Sequence, residues 1–504
     1  MSNNLLKSGH SLNDLVRKYL YPFILLICSF GIYFTHYGTP NAMFWDENYH
    51  IASAEKHVQG VMYMEPHPPL GKMLMGLMEV VIGANDKVDK HKFLETDHIE
   101  GADTPPETKY TGYRWPSVVL MALSVLFFYG ILRRIIQNNL VAFLFSSFII
   151  FDNALVIQAR AAMLEGIQIF FLLAALYCFV NIVTRGTPIR LKHYAALGFV
   201  IGLGIMVKVT SAIELLLFVM LFGIDQWRNV QTYNYPELAK RLFVTVPAGV
   251  IPVVLVFLTV FYIHIGMGTK VIAGHTYKAS PEYLQAIQRG DTWSLSTYTI
   301  GLRDNLKYMN EYADGVPRLD ECKPDENGSY AMDWLLGKKS ISYRWDKDTI
   351  DGKVQVKYMN IVANPIIWFS VIAGIVLSLG LMMSKFIYGQ KEKDTPLFYW
   401  ICAFTSLYMC YMLAILQIER VMYLYHYLLP LTFGSINLAL IFSYIYREDI
   451  LANNKHMWIN LGLFITLVIA VFAFFAPFTY GIQMTEDQFE MRNWFSFWKL
   501  QVVQ

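Results

Sequence analysis

Two adjacent carboxylates, Asp46 and Glu47, stand in the run Trp45-Asp46-Glu47-Asn48, just beyond the first long apolar stretch. Charged groups at a membrane exit cost energy unless water, a cation or a substrate satisfies them. A carboxylate placed there can act as a general base or orient a polar ligand. The plainer reading is a solvated acid pair favoured by a following helix N-terminus. Further along comes His67-Pro68-Pro69-Leu70-Gly71-Lys72. Two prolines fix the chain and withhold backbone donors, so His67 and Lys72 flank a rigid corner. Arg114 precedes another apolar run, Arg160 and Glu165 flank a turn, Lys208 breaks an apolar stretch, and Arg420, Tyr425 and His426 cluster before a late one. Cations gathered at one membrane level would stabilise a phosphate. The alternative is that each snorkels singly to the headgroups.

The elements that must position these residues are membrane spans. Of 504 residues, 55% are hydrophobic and 16% charged, against roughly 25% charged in soluble domains. The formal net charge of +2 gives no footprint for a nucleic-acid partner. Apolar runs of bilayer-spanning size lie near 19–37, 115–132, 140–157, 161–183, 194–207, 210–225, 243–264, 363–383, 397–416, 427–446 and 458–480. This predicts an all-α integral membrane protein of about eleven transmembrane helices. Lys7, Arg17 and Lys18 precede the first run, and every even-numbered run ends on a basic loop, such as Arg133-Arg134 or Arg185, Arg190 and Lys192. By the positive-inside rule the N-terminus is cytoplasmic and the C-terminus outside. The first run exits through Tyr33, Phe34, Tyr37 and Pro40, and reads as a retained anchor.

Three regions follow: a membrane module, 1–264, with a catalytic outer loop at 38–114; an outer loop over the active site, 265–362; and C-terminal helices with an outer tail, 363–504. Within the first loop, Lys72–Gly83 is too short to span and suits a helix lying in the membrane interface. Cys28, Cys178, Cys322, Cys402 and Cys410 show neither a disulfide framework nor metal-type spacing.

The motifs resemble those of the protein O-mannosyltransferase family. Phe44-Trp45-Asp46-Glu47 and His67–Lys72 look like its first outer loop, and Tyr113-Arg114-Trp115-Pro116-Ser117 like the start of its second span. Arg160-Ala161-Ala162-Met163-Leu164-Glu165 is similar to its Arg-x-x-Met-Leu-Asp stretch, with Glu in place of Asp. Gly202-Leu203-Gly204 through Lys208-Val209-Thr210, Asn364-Pro365-Ile366-Ile367-Trp368, and Arg420 through Pro430 resemble later family segments in the same order. The tryptophan-proline-rich loop is matched only in part, by Asp333-Trp334-Leu335-Leu336 and Tyr343-Arg344-Trp345, which leaves acceptor and sugar open. The second outer loop is too short for the β-trefoil domain of eukaryotic members, so the resemblance implies a bacterial-type member in an inner (plasma) membrane, with its site on the periplasmic face. Aminoarabinose transferases of lipid A share the Asp-Glu start but usually read Lys-Pro-Pro at His67-Pro68-Pro69.

The resemblance implies the C-type multi-span glycosyltransferase fold, with transfer of a sugar, expected to be mannose, from a polyprenyl-phosphate lipid to a Ser or Thr hydroxyl. Asp46 would take the acceptor proton, and Glu47 would orient acceptor or sugar. Arg114, Lys208, Arg420 and His426 would hold the donor phosphate, where fixed cations favour the growing negative charge. His67, Lys72, Glu165 and Tyr425 are candidates for substrate contact. A divalent metal is an open possibility for which no dense ligand motif speaks. Expected partners are the lipid-linked donor, a protein or glycolipid acceptor, and membrane lipids. The rival classes are a glycolipid glycosyltransferase and a transporter or flippase of lipid-linked sugar. Glu214, inside the sixth run, is the main feature favouring transport, since transporters place ionisable groups within the membrane.

Overall fold

The structure, a computed structural model, describes residues 12–229, 235–323, 326–350 and 353–501. Lys7, of the basic run before the first span, lies outside them. In a bilayer, backbone polar groups must be satisfied within the segment, so long apolar runs fold as helices. The main helices are α1 (Leu12–Phe34), α2 (Glu47–Gln59), α3 (Leu70–Ile82), α4 (Thr111–Ile136), α5 (Asn139–Ile150), α6 (Asn153–Ala159), α7 (Leu164–Thr184), α8 (Leu191–Ile205), α9 (Leu216–Asn229), α10 (Tyr235–Met267), α11 (Pro281–Gln288), α12 (Leu295–Gly315), α13 (Pro365–Phe386), α14 (Thr395–Ile415), α15 (Leu428–Ile445) and α16 (Lys455–Tyr480).

The chain is a multi-pass membrane protein. Among the described residues, eight helices are long and apolar enough to cross a bilayer. The other three expected spans are helical but differ from simple rods. The apolar part of α1, Tyr19–Phe34, and α8 are short, and the run at 140–157 is two helices, α5 and α6, bent by 60°. The bend follows from Asp152. Its Oδ1 accepts from the Leu155 amide and starts a new helix, while its Oδ2 accepts from Trp368 Nε1 at 2.8 Å. The Phe151 carbonyl freed at the break accepts from Asn364 Nδ2. A break inside a membrane persists where side chains satisfy the backbone in this way.

The bundle core is built by α4 against α7, α8 against α10, and α15 against both α13 and α14. The two long loops share one end of the bundle, here the loop end. In the first, α3 packs against α4 and α2 packs on α3. Gly76 permits the crossing of α2 and α3, because a Cβ there would stand 2.9 Å from the Ala54 carbonyl oxygen. Leu77, Val80 and Val81 on α3 are exposed, as befits a helix lying in the interface.

One element departs from the all-α expectation. Strands β1 (Ser342–Ile350) and β2 (Lys353–Asn360) pair antiparallel, and β3 (Gln483–Met484), beyond α16, pairs with β2. The alternating Lys353-Val354-Gln355-Val356-Lys357-Tyr358, with Asp351-Gly352 before it, carries the strand and hairpin signal. It is short beside the surrounding apolar runs and is overlooked when the pattern is read for spans.

Candidate active site

Asp46 is the residue on which the loop end converges. Trp45 before it adopts φ 52°, a left-handed conformation that costs a bulky residue of order 1–3 kcal/mol and persists only when its surroundings hold it. Here rings hold it: the indole stacks on Tyr343 at 5.4 Å and meets Tyr423 edge-on at 5.5 Å. The turn delivers half-buried Asp46 to the N-cap of α2. Its Oδ2 accepts a 3.2 Å hydrogen bond from the Tyr425 hydroxyl. Burial, seconded by the Glu165 carboxylate, pushes the Asp46 carboxyl up to about 6; Lys208, Tyr425 and Lys72 pull the other way.

Two cations, Lys208 and Lys72, act on this acid, and a third, Arg420, acts on the nearby His67. Lys208 Nζ is 2.5 Å from Glu165 Oε1 and 5.3 Å from the centre of the Tyr425 ring. Glu165 in turn accepts from Gln158, whose amide oxygen accepts from the Tyr343 hydroxyl. Lys72 is buried, with Nζ 2.5 Å from Glu65 Oε1, and Glu65 also accepts from Ser53 Oγ at 3.1 Å. Burial lowers the Lys72 ammonium and raises the Glu65 carboxyl, each opposed by the other's charge. Lys72 reaches this depth because Gly71 lets α3 begin against Leu164, whose Cδ2 would stand 2.5 Å from a Cβ there. Arg420 forms no ion pair among the described residues. Its strand-like segment is pinned by the Val421 amide donating to the Pro317 carbonyl.

His67 sits between these cations, its ring 6.4 Å from that of His50. Burial, and after it the charges of Lys72, Lys208, His50 and Arg420, hold His67 well below the ordinary histidine range. His426 is stacked between Tyr425 at 4.6 Å and Trp334 at 5.9 Å, with Nδ1 3.0 Å from the Tyr423 carbonyl oxygen. A small chamber runs inward, lined by Glu165, Lys208, Tyr425 and His426, then Thr210, Tyr411 and Leu429.

Two expected site residues stand elsewhere. Glu47 and Arg114 are fully buried and consumed by one another. Glu47 Oε1 accepts from Arg114 Nε and the Ala162 amide, both at 2.7 Å; Oε2 accepts from Arg114 Nη2 at 2.7 Å and the Phe44 amide at 3.1 Å. Arg114 also donates to the carbonyls of Tyr37, Pro40 and Ala42. The guanidinium's five N–H groups and the carboxylate's four acceptor positions are thereby used up. Glu47 is therefore not placed to orient acceptor or sugar, nor Arg114 to hold phosphate. Together they clamp the 37–47 turn to α4 and to the Ala162 turn, and so position Asp46. Arg160 works similarly, donating to the carbonyls of Thr479 and His36. Glu214 is buried beside Gly204 and Ser211 and is not part of the chamber's lining.

Reading the chain missed Tyr343 and Gln158 as members of this network, and also Glu65 and His50. His50 had a signal, four residues after Asp46 on the same helix face. Tyr343 had only its place in the partly matched Tyr343-Arg344-Trp345 segment, and Gln158 had none, the two being joined by the fold. Among the described residues, no three His, Cys, Asp or Glu side chains meet in a way that could hold a metal ion.

Residues 23–267 match the family model described as dolichyl-phosphate-mannose-protein mannosyltransferase, and residues 308–498 match that of the C-terminal four-span region of protein-O-mannosyltransferase. The chain belongs to the protein O-mannosyltransferase family. Among relatives, protein O-mannosyl-transferase 2 of Drosophila melanogaster is 24% identical over 251 residues, covering 48% of this chain and 32% of that protein. Dolichyl-phosphate-mannose–protein mannosyltransferase 3 of Saccharomyces cerevisiae is 23% identical over 345 residues, covering 65% of this chain and 44% of that one. The chain thus matches less than half the length of either. The Saccharomyces cerevisiae Pmt1-Pmt2 complex bound to the sugar donor superposes with a TM-score of 0.78 at 16% identity, covering 98% of this chain and 93% of that chain. At that identity the likeness speaks to the fold, which is the C-type multi-span architecture of membrane glycosyltransferases.

Proposed function

We propose that this protein is an inverting glycosyltransferase that moves mannose from a polyprenyl-phosphate lipid to Ser or Thr hydroxyls of polypeptides. The observation carrying this reading is Asp46: a carboxylate raised to about 6 by burial, hydrogen-bonded by Tyr425 and acted on by Lys208 and Lys72. A base of that strength is matched to taking a proton near neutral pH. Family membership supports the donor class and the polypeptide acceptor.

In this reading Asp46 accepts the hydroxyl proton while the hydroxyl oxygen attacks the anomeric carbon. The bond from that carbon to the phosphate oxygen breaks, its electron pair leaving with the phosphate. The products are the mannosylated side chain and polyprenyl phosphate, and the proton on Asp46 passes to water. Arg420, which forms no ion pair among the described residues, and the Lys208 and Lys72 ammonium groups oppose the charge that grows on the leaving phosphate. His67, held uncharged by burial and these cations, and His426 serve as hydrogen-bond partners. The ligand set for a metal is not present among the described residues.

The loop end would face outward, because Arg133, Arg134, Arg185, Arg190, Lys192, Arg447 and Lys455 lie at the opposite helix ends, where the positive-inside rule puts the cytoplasm. On the bacterial-type reading that is the periplasmic face of the inner membrane.

The test uses purified full-length protein in detergent, a polyprenyl-phosphate-mannose and a Ser/Thr-containing peptide, with mass spectrometry of the peptide. A gain of one hexose, lost in Asp46→Asn, is expected. No new covalent product would point to transport, and full activity in Asp46→Asn would remove it as the base.

A further inference from the structure

A second opening at the loop end is separate from the catalytic chamber. A groove of about 350 Å³ lies between the Thr39–Ala42 segment and one face of the sheet, where Arg344, Asp346 and Asp348 of β1 and Lys357 of β2 line it. Pockets of this size hold small ligands or a short chain segment. We propose that this groove is the docking site for the acceptor polypeptide, taking the residues that flank the modified Ser or Thr. This rests on the polypeptide-acceptor reading above.

Three observations converge. The first is continuity with the site. The groove wall at Ala42 is followed by Met43, Phe44, Trp45 and Asp46. Arg344 Nη1 reaches the Met43 carbonyl at 3.4 Å, and neighbouring Tyr343 stacks on Trp45. A chain lying in the groove therefore has the base within a few residues' reach.

The second is charge. The two cations and two acids of the lining are paired: Arg344 Nη2 with Asp346 at 2.7 Å, and Lys357 with Asp348 at 3.4 Å. The groove offers dipoles and hydrogen-bonding groups without a net field. That suits a neutral, hydroxyl-bearing main chain. A phosphoglycolipid headgroup would call for uncompensated cations, which this lining does not offer.

The third is the strand itself. β1 is an edge strand that pairs, among the described residues, with β2 alone. Its free edge borders the face that lines the groove, and an edge presents main-chain donors and acceptors that an extended segment can meet whatever its side chains are. Such recognition suits an enzyme that modifies one residue type in many sequence contexts.

The experiment reads charge preference. Full-length protein and polyprenyl-phosphate-mannose are given two synthetic peptides with the same central Thr, one flanked by Asp and Glu, the other by Lys and Arg. Asp348→Lys gives the groove an excess of positive charge, and Lys357→Glu an excess of negative charge. Both side chains are about half exposed, so neither substitution threatens folding. The ratio of kcat/KM for the acidic over the basic peptide is expected to rise about threefold in Asp348→Lys and to fall by a similar factor in Lys357→Glu, as partly screened charges allow. A general loss of activity lowers both values and leaves their ratio unchanged, so the ratio reports docking alone. Wild-type transfer to both peptides with ratios unmoved in both variants would overturn the groove and leave the proposed function standing. Transfer to a phosphoglycolipid but to neither peptide would overturn both.

Discussion

The Tyr425 hydroxyl donates to Asp46 Oδ2 across 3.2 Å, joining the turn before the tenth apolar run to the loop after the first. The same ring carries Lys208 on one side and is stacked with His426. One tyrosine thus orients Asp46, the proposed base, and ties it to the cation and histidine of the chamber. Because that hydrogen bond favours the charged carboxylate, Tyr425→Phe should move the acid limb of the pH–rate profile to higher pH and lower the rate several-fold at neutral pH, about 1 kcal/mol for one hydrogen bond. An acid limb identical to wild type would separate Tyr425 from the base.

In the wild-type protein the sign is set by the role of Asp46. Only the deprotonated form can accept a proton, and burial raises the carboxyl to about 6. Transfer should therefore climb with pH through about 6 and fade below it. The measurement is kcat/KM for a peptide acceptor between pH 5 and 8; a profile flat across that range would contradict the assignment.

Glu47 and Arg114 make a different prediction, because both are fully buried and paired only within the protein. Arg114→Ala should leave an uncompensated buried carboxylate and lower stability by about 3–5 kcal/mol. The double variant Arg114→Met/Glu47→Leu should lose less than the sum of the two single changes. Thermal unfolding in detergent measures this. Full stability in Arg114→Ala, with a raised donor KM, would restore the arginine to the phosphate.

Arg420 is the arginine proposed for the donor phosphate, since Arg114 is spent on Glu47 and backbone carbonyls. Removing it with Arg420→Gln should raise KM for the lipid donor about tenfold, the usual scale for a hydrogen bond to a charged group, with acceptor KM little altered. Donor titration at saturating peptide decides it, and equal donor KM in variant and wild type would take Arg420 out of the phosphate site.

Metal removal gives a further check. No cluster of three metal-ligating side chains exists among the described residues, so dialysis against a chelator should leave the rate intact. A loss reversed by adding magnesium or manganese would show a metal held with help from the donor phosphate.

The span pattern was legible in the chain because continuous apolar runs in a bilayer have essentially one solution. Asp46 was legible because carboxylates at a membrane exit stand out against apolar surroundings. The bend at Asp152 was harder to see, since the run at 140–157 is apolar enough to pass for one helix until Trp368 and Asn364, more than two hundred residues away, satisfy the broken backbone. The hairpin at 342–360 carries a period-2 signal that is weak beside its apolar neighbours.

By itself the amino-acid order determined the number of apolar segments, the end of the bundle at which ionisable groups collect, and the family, since these depend on local composition and on motifs met in sequence. Which cation faces which acid was decided only by tertiary structure. Lys208 went to Glu165, Lys72 to Glu65, and Arg114 to Glu47. Charges buried this deeply must find partners, and partner choice depends on how helices distant in sequence cross.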